Sequence, residues 1–124
     1  MAAAHTSQWI AKGVLGVQIT GVTGSGSIET AGVVGVAGFP DKTAQGTGTL
    51  NTGVWGLQGS NATTPTASVA WYDLSTPTGA DISGLASAVV VQILENPRWI
   101  RAKASGSTGG TDLTVNLICY ATPR

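Results

Sequence analysis

Leu15-Gly16-Val17-Gln18-Ile19-Thr20 sets an apolar side chain at every second position, with glycine or a polar residue between. Successive side chains of a strand point to opposite faces, so a period of two reads as a strand with one buried face. The same period recurs near the C-terminus, where Leu113, Val115, Leu117 and Cys119 fall on one side. In Arg98-Trp99-Ile100-Arg101-Ala102-Lys103-Ala104 it places Ile100, Ala102 and Ala104 on the core face and Trp99, Arg101 and Lys103 on the other. Further strands are expected over 28–37, 50–58, 69–74 and 87–95; Trp55 and Leu57 share a face with Asn51. Gly32 and Gly35 suggest a bulge or a close backbone approach.

Turn-rich segments separate these runs. Residues 23–27 read as a hairpin loop, and 38–48, 59–65, 75–81 and 105–112 as longer connections rich in Gly, Pro, Ser or Asp. Helix is barely supported, with one possible turn in Asp81-Ile82-Ser83-Gly84-Leu85-Ala86. Short strands at such intervals predict an all-β, single-domain antiparallel β-sandwich or jelly roll. Residues 1–12 are expected to form an extended N-terminal arm and 13–124 the sandwich. Trp9 and Ile10 are apolar enough for that arm to dock on its own subunit or a neighbour.

The chain has 124 residues, enough for one domain. It is 42% hydrophobic, which argues against disorder, and its 18 glycines show no period of three. Only 10% of residues are charged, and six basic side chains cancel six acidic ones. Zero net charge argues against a nucleic-acid partner, which needs a basic face, and it removes the self-repulsion that keeps monomers apart. No apolar run approaches the length of a membrane span, and the first residues lack the features of a signal peptide. The single cysteine, Cys119, reads as a small core residue. Asn61-Ala62-Thr63 matches a glycosylation sequon and reads as a turn.

Little in the chain points to catalysis or a cofactor. His5 is the only histidine and falls in the expected arm, where nothing fixes an imidazole. One histidine and one cysteine do not compose a zinc site. No two of Glu29, Asp41, Asp73, Asp81, Glu95 and Asp112 are forced onto one face, although a loop calcium site is conceivable. Gly24-Ser25-Gly26 lacks the lysine and following helix of a phosphate loop. The chain is therefore expected to be non-enzymatic, without cofactor or metal.

The informative features are surfaces. In Ala86-Ser87-Ala88-Val89-Val90-Val91-Gln92-Ile93-Leu94-Glu95, Val89, Val91 and Ile93 make one apolar side, and Ala88, Val90 and Leu94 the other. A strand apolar on both sides needs cover on both, from its own chain or from another subunit. Trp99 beside Arg101 and Lys103 suggests cation–π stacking or an interface anchor, with cover by the chain's own loops as the plain alternative. Trp9, Ile10, Val89, Val91, Ile93, Trp99 and Arg101 are thus the candidate interface residues.

One resemblance adds to this. Gly56-Leu57-Gln58-Gly59-Ser60-Asn61, Val69-Ala70-Trp71-Tyr72-Asp73-Leu74, Asn96-Pro97-Arg98-Trp99-Ile100-Arg101-Ala102-Lys103-Ala104-Ser105-Gly106 and Gly110-Thr111-Asp112-Leu113-Thr114-Val115 follow in order. The layout resembles small β-sandwich structural proteins of tailed bacteriophages, including capsid decoration (cement) proteins. It is also similar to discoidin-like sandwiches, many of which bind glycans, although their paired cysteines are absent here. The phage resemblance implies a virion protein on the capsid surface, made in the host cytoplasm without a signal peptide. Its partners would be the major capsid protein and copies of itself, with no nucleic acid and no membrane. The alternative is a carbohydrate-binding or tail-associated module of a phage or bacterial surface, which would need Trp71, Tyr72 and Trp99 exposed together.

Overall fold

The computed structural model describes residues 4–22, 33–49, 53–64, 70–86, 88–105 and 112–121. The chain is all-β, with no helix among the described residues. Its strands are β1 (Ala4–Ala11), β2 (Val14–Val22), β3 (Val33–Gly35), β4 (Asp41–Thr49), β5 (Val54–Ser60), β6 (Tyr72–Asp73), β7 (Val90–Ile93), β8 (Trp99–Ser105) and β9 (Asp112–Tyr120). They form two antiparallel sheets, a five-stranded one ordered β1-β2-β9-β4-β7 and a four-stranded one ordered β3-β8-β5-β6. The arrangement is consistent with a β-sandwich. The pairing is nested: β5 meets β6, β4 meets β7, β3 meets β8 and β2 meets β9.

Register explains why the alternating segments pair as they do. Leu15, Val17 and Ile19 of β2 stand opposite Cys119, Leu117 and Val115 of β9. Apolar side chains therefore meet on the same face of neighbouring strands. On the opposing sheet Trp55 and Leu57 of β5 stand opposite Ala104 and Ala102 of β8. All of these except the partly buried Leu15 are buried, and Ile100, Val34, Val36, Leu74, Ile82 and Ile93 complete the core. The expected inward positions of β2, β5, β8 and β9 are the observed ones.

Four elements differ from expectation. Residues 38–48, expected as a loop, contain all of β4 but Thr49, and β4 lies between β9 and β7. Its inward positions are Lys42, Ala44 and Gly46, all buried and mostly small, so the segment carries no run of large apolar residues to betray it. Trp55 requires that smallness. A β-carbon at Gly46 would lie 2.6 Å from the indole nitrogen, so the Trp55 ring occupies the space that a side chain on β4 would fill. The indole N–H donates to the Ala86 carbonyl at 2.8 Å, meeting the need of a buried donor.

The expected arm takes the form of a strand. Ala4–Ala11 pairs along β2 as a hairpin turned at Lys12 and Gly13, with an irregularity between Trp9 and Ala11. Every side chain from His5 to Lys12 is nevertheless exposed. The backbone belongs to the sheet while the side chains remain outside the core.

The strand expected over 87–95 is shorter. Ala88 has φ of 70°, a left-handed conformation unusual for a residue with a β-carbon. Its amide donates to the Gly46 carbonyl at 2.6 Å, and regular pairing begins only at Val90. Similarly, only Tyr72–Asp73 of the run expected over 69–74 is strand. Residues 74–85 instead bind the backbone of β5. Leu57 N–H donates to Ile82 O, and Trp55 and Leu85 exchange two bonds of 3.0 and 2.9 Å. The expected strand start at 28–32, the loop at 23–27, Asn51 and most of the 105–112 connection lie outside the described residues.

The Trp55–Gly46 contact makes a direct prediction. Gly46→Ala should destabilise the fold by about 1–3 kcal/mol, the usual cost of forcing atoms into a packed core. In urea denaturation, G46A combined with W55F should cost less than the sum of the single changes, because phenylalanine lacks the indole nitrogen and fused-ring atoms nearest Gly46.

Candidate functional site

Cys119 and Lys42 are titratable groups buried in the sandwich interior. Cys119 is fully buried. Burial pushes its thiol up to about 11, only partly countered by the nearby Lys42 charge. A thiol kept protonated is a poor nucleophile. Lys42 is also fully buried and lies across from Cys119 on β4. Its ammonium donates to the Phe39 carbonyl and to Asn96 Oδ1, each at 2.7 Å. Desolvation lowers the Lys42 pKa, against the attraction of Cys119, Asp41 and Glu95. His5 lies exposed on β1. Among the described residues no group of three His, Cys, Asp or Glu side chains is placed to hold a metal ion.

The outer face of the four-stranded sheet carries a polar row. Gln58 Nε2 donates to Asp73 Oδ1 at 3.1 Å. Arg101 Nε and Nη2 both donate to Gln58 Oε1, at 2.9 and 2.7 Å. The Arg101 guanidinium also stacks 4.5 Å from the centre of the Trp71 ring. Sequence alternation points to an Arg101 stack with its strand neighbour Trp99, but the observed partner is Trp71, from the segment before β6. Burial lowers the Arg101 pKa, and the group remains a cation. Trp99 is half-buried; its indole N–H donates to Ala62 O at 3.0 Å and its ring lies against Gly35. The chain's own loop and neighbouring strand therefore hold Trp99. Trp71, Tyr72 and Trp99 do not form one exposed aromatic platform.

The two edges of the five-stranded sheet are different in character. On β1, Trp9 is 61% and Ile10 59% exposed; on β7 and just beyond it, Val90 is 61% and Leu94 52% exposed. Trp9 touches Phe39 with ring centroids 6.2 Å apart, and the Ile10 side chain covers Gly16. Val91 packs against the core, Val89 is half-buried, and Ile93 belongs to the core itself. Ile93 is thus corrected as an interface candidate, because its side chain is not available to a partner. The expected double apolar character of this segment resolves into one side covered by the chain and one side that the described residues leave open.

At one end of the sandwich lies a cleft of about 510 Å³, bordered by Asn61, Tyr72, Asp73, Glu95, Asn96 and Pro97 among others. Tyr72 is 71% exposed. The polar groups there are anchored from behind. Asn61 Oδ1 accepts from Arg98 N–H at 2.8 Å, and Glu95 Oε1 accepts from Ser75 N–H at 2.7 Å. Asn96 is held by Lys42, while the Asp73 carboxylate turns to Gln58 on the outer face. Sequence patterning missed this cleft because its residues come from three separate segments, none of which carries a motif of its own.

Two outcomes follow from the buried pair. Above pH 9 the unfolded Cys119 thiol ionises before the folded one, so its contribution to stability is lost as pH rises toward 11. The lowered Lys42 pKa acts with the opposite sign, favouring the folded state as pH rises toward 10.5. Denaturant titrations from pH 8 to 11 should therefore fall less steeply, or rise, in Cys119→Ala than in wild type, by at most about 3 kcal/mol. Separately, Lys42→Met should destabilise the protein by about 1–3 kcal/mol at pH 7, because two acceptors lose their buried donor.

The chain matches no known protein family, no curated protein and no solved structure in these comparisons.

Proposed function

We propose that this chain is a virion structural protein, a capsid decoration module that stabilises the head by associating with copies of itself and clamping neighbouring capsid subunits. The observation that carries this reading is the exposed apolar side chains on both edge strands of one sheet. Trp9 and Ile10 mark one edge, and Val90 and Leu94 the other. An edge strand with large apolar residues is a template for pairing with another chain. With one such edge at each end of the sheet, head-to-tail contacts generate rings or extended arrays. Low charge and zero net charge offer no repulsion to such contacts. Many weak copies on a capsid lattice would gain avidity from the lattice.

The nested pairing of β5–β6, β4–β7, β3–β8 and β2–β9 supports a jelly-roll reading, with β1 as an added edge strand. That architecture accords with the resemblance of residues 56–115 to phage head proteins. The mechanism is burial of surface without bond chemistry, and it needs no cofactor.

Sedimentation velocity tests the proposal. The protein should self-associate at tens of micromolar and co-sediment with shells of a tailed-phage major capsid protein. Trp9→Glu and Val90→Lys, both at exposed positions, should each weaken self-association at least tenfold while leaving thermal stability within about 0.5 kcal/mol. A monomer at these concentrations that binds no shell would refute the reading.

A further inference from the structure

The end cleft combines features that the assembly reading does not use. We infer that it is a binding site for a neutral, polyhydroxylated ligand of the sugar class, with Tyr72 as its apolar wall. This inference does not depend on the assembly proposal, and its site is distinct from Trp9, Ile10, Val90 and Leu94.

Asn61 and Asn96 each commit their carbonyl oxygen to a protein donor, the Arg98 amide and the Lys42 ammonium. Each then has its NH₂ group as the part left for a ligand. Glu95 takes one protein N–H, from Ser75, on one oxygen. A carboxylate has about four acceptor sites, so it keeps acceptor capacity. The cleft thus offers two amide donors and a carboxylate acceptor whose orientations the protein has already set.

A hydroxyl both donates and accepts, so adjacent hydroxyls on one ring match such a mixed set. A peptide backbone would instead seek backbone partners along a strand edge, and the cleft's oriented polar groups are side chains. Tyr72 supplies the flat surface. Its ring is exposed in the described structure while bordering the cleft, and an amphipathic aromatic ring suits the C–H face of a sugar ring. The volume, about 510 Å³, lies within the usual range of small-ligand sites. Holding the polar groups in advance reduces the ordering cost of binding.

Calorimetry and side-chain amide NMR provide the test, using glucose-, galactose-, mannose- and N-acetylglucosamine-based di- to tetrasaccharides as probes. At least one should bind saturably and shift the NH₂ signals of Asn61 and Asn96. Tyr72→Ala should weaken that binding at least tenfold, and Glu95→Gln should weaken it several-fold. Trp9→Glu, remote from the cleft, should leave it unchanged even where it abolishes self-association. Several results would overturn the inference: no saturable binding by any probe, binding that survives Tyr72→Ala, or perturbation of the cleft by an unrelated peptide or by calcium alone in place of the sugars.

Discussion

Trp55 spans the space between the two sheets, and the fold around it is arranged to admit its ring. It needs a floor without side chains, provided by Gly46 with Ala44 beside it on the inner face of β4. It also needs an acceptor for its N–H, provided by Ala86 O. That second need bears on a loop. The residues after β6 bind the backbone of β5 through Ile82 and Leu85, which carries Ala86 within reach of the indole. At Gly56 a β-carbon would collide with the Ile82 carbonyl, so the loop lies directly against β5. One large residue thus sets the composition of a facing strand and the course of a crossing loop.

The same constraint explains what was legible in the sequence. β2, β8 and β9 fill their inward positions mostly with aliphatic residues, and their alternation is plain. Trp55 and Leu57 likewise reveal β5. β4 is the complement of Trp55: its inner face must be small where the ring lies, and its Lys42 serves as a buried donor rather than an apolar filler. Composition therefore disguised a central strand as a loop. β1 was hidden for a different reason. Its side chains face solvent on both sides, so burial imposes no pattern on them. In the 87–95 run, the apolar content was visible but its termination at Ala88 depends on a backbone conformation that the residue's identity does not signal. The cleft was illegible because its parts meet only through the topology.

The surface divides into regions of different physical character. Asp73, Gln58, Arg101 and Trp71 lock together across the outer face of the smaller sheet. Cationic and aromatic side chains there already satisfy each other. Among the described residues the edges of the larger sheet lack such cover, and their apolar groups face outward. Residues that a strand pattern marks as interface candidates therefore separate into those engaged by their own chain, such as Trp99 and Ile93, and those still open, such as Trp9, Ile10 and Val90.

The nested pairing also bears on the order in which the molecule can form. β9 is the last of the strands in chain order, yet it lies in the interior of its sheet, bonded to β2 on one side and β4 on the other. While the chain is being made, those two strands have no partner on their facing edges until β9 leaves the ribosome. The β1–β2 hairpin can close early because its contacts are local. The larger sheet cannot be continuous until β9 arrives, and such long-range pairing is inherently slow. A chain cut short before β9 would have two separated sheet fragments with open edges. The topology thus makes completion of β9 a condition for burying the core.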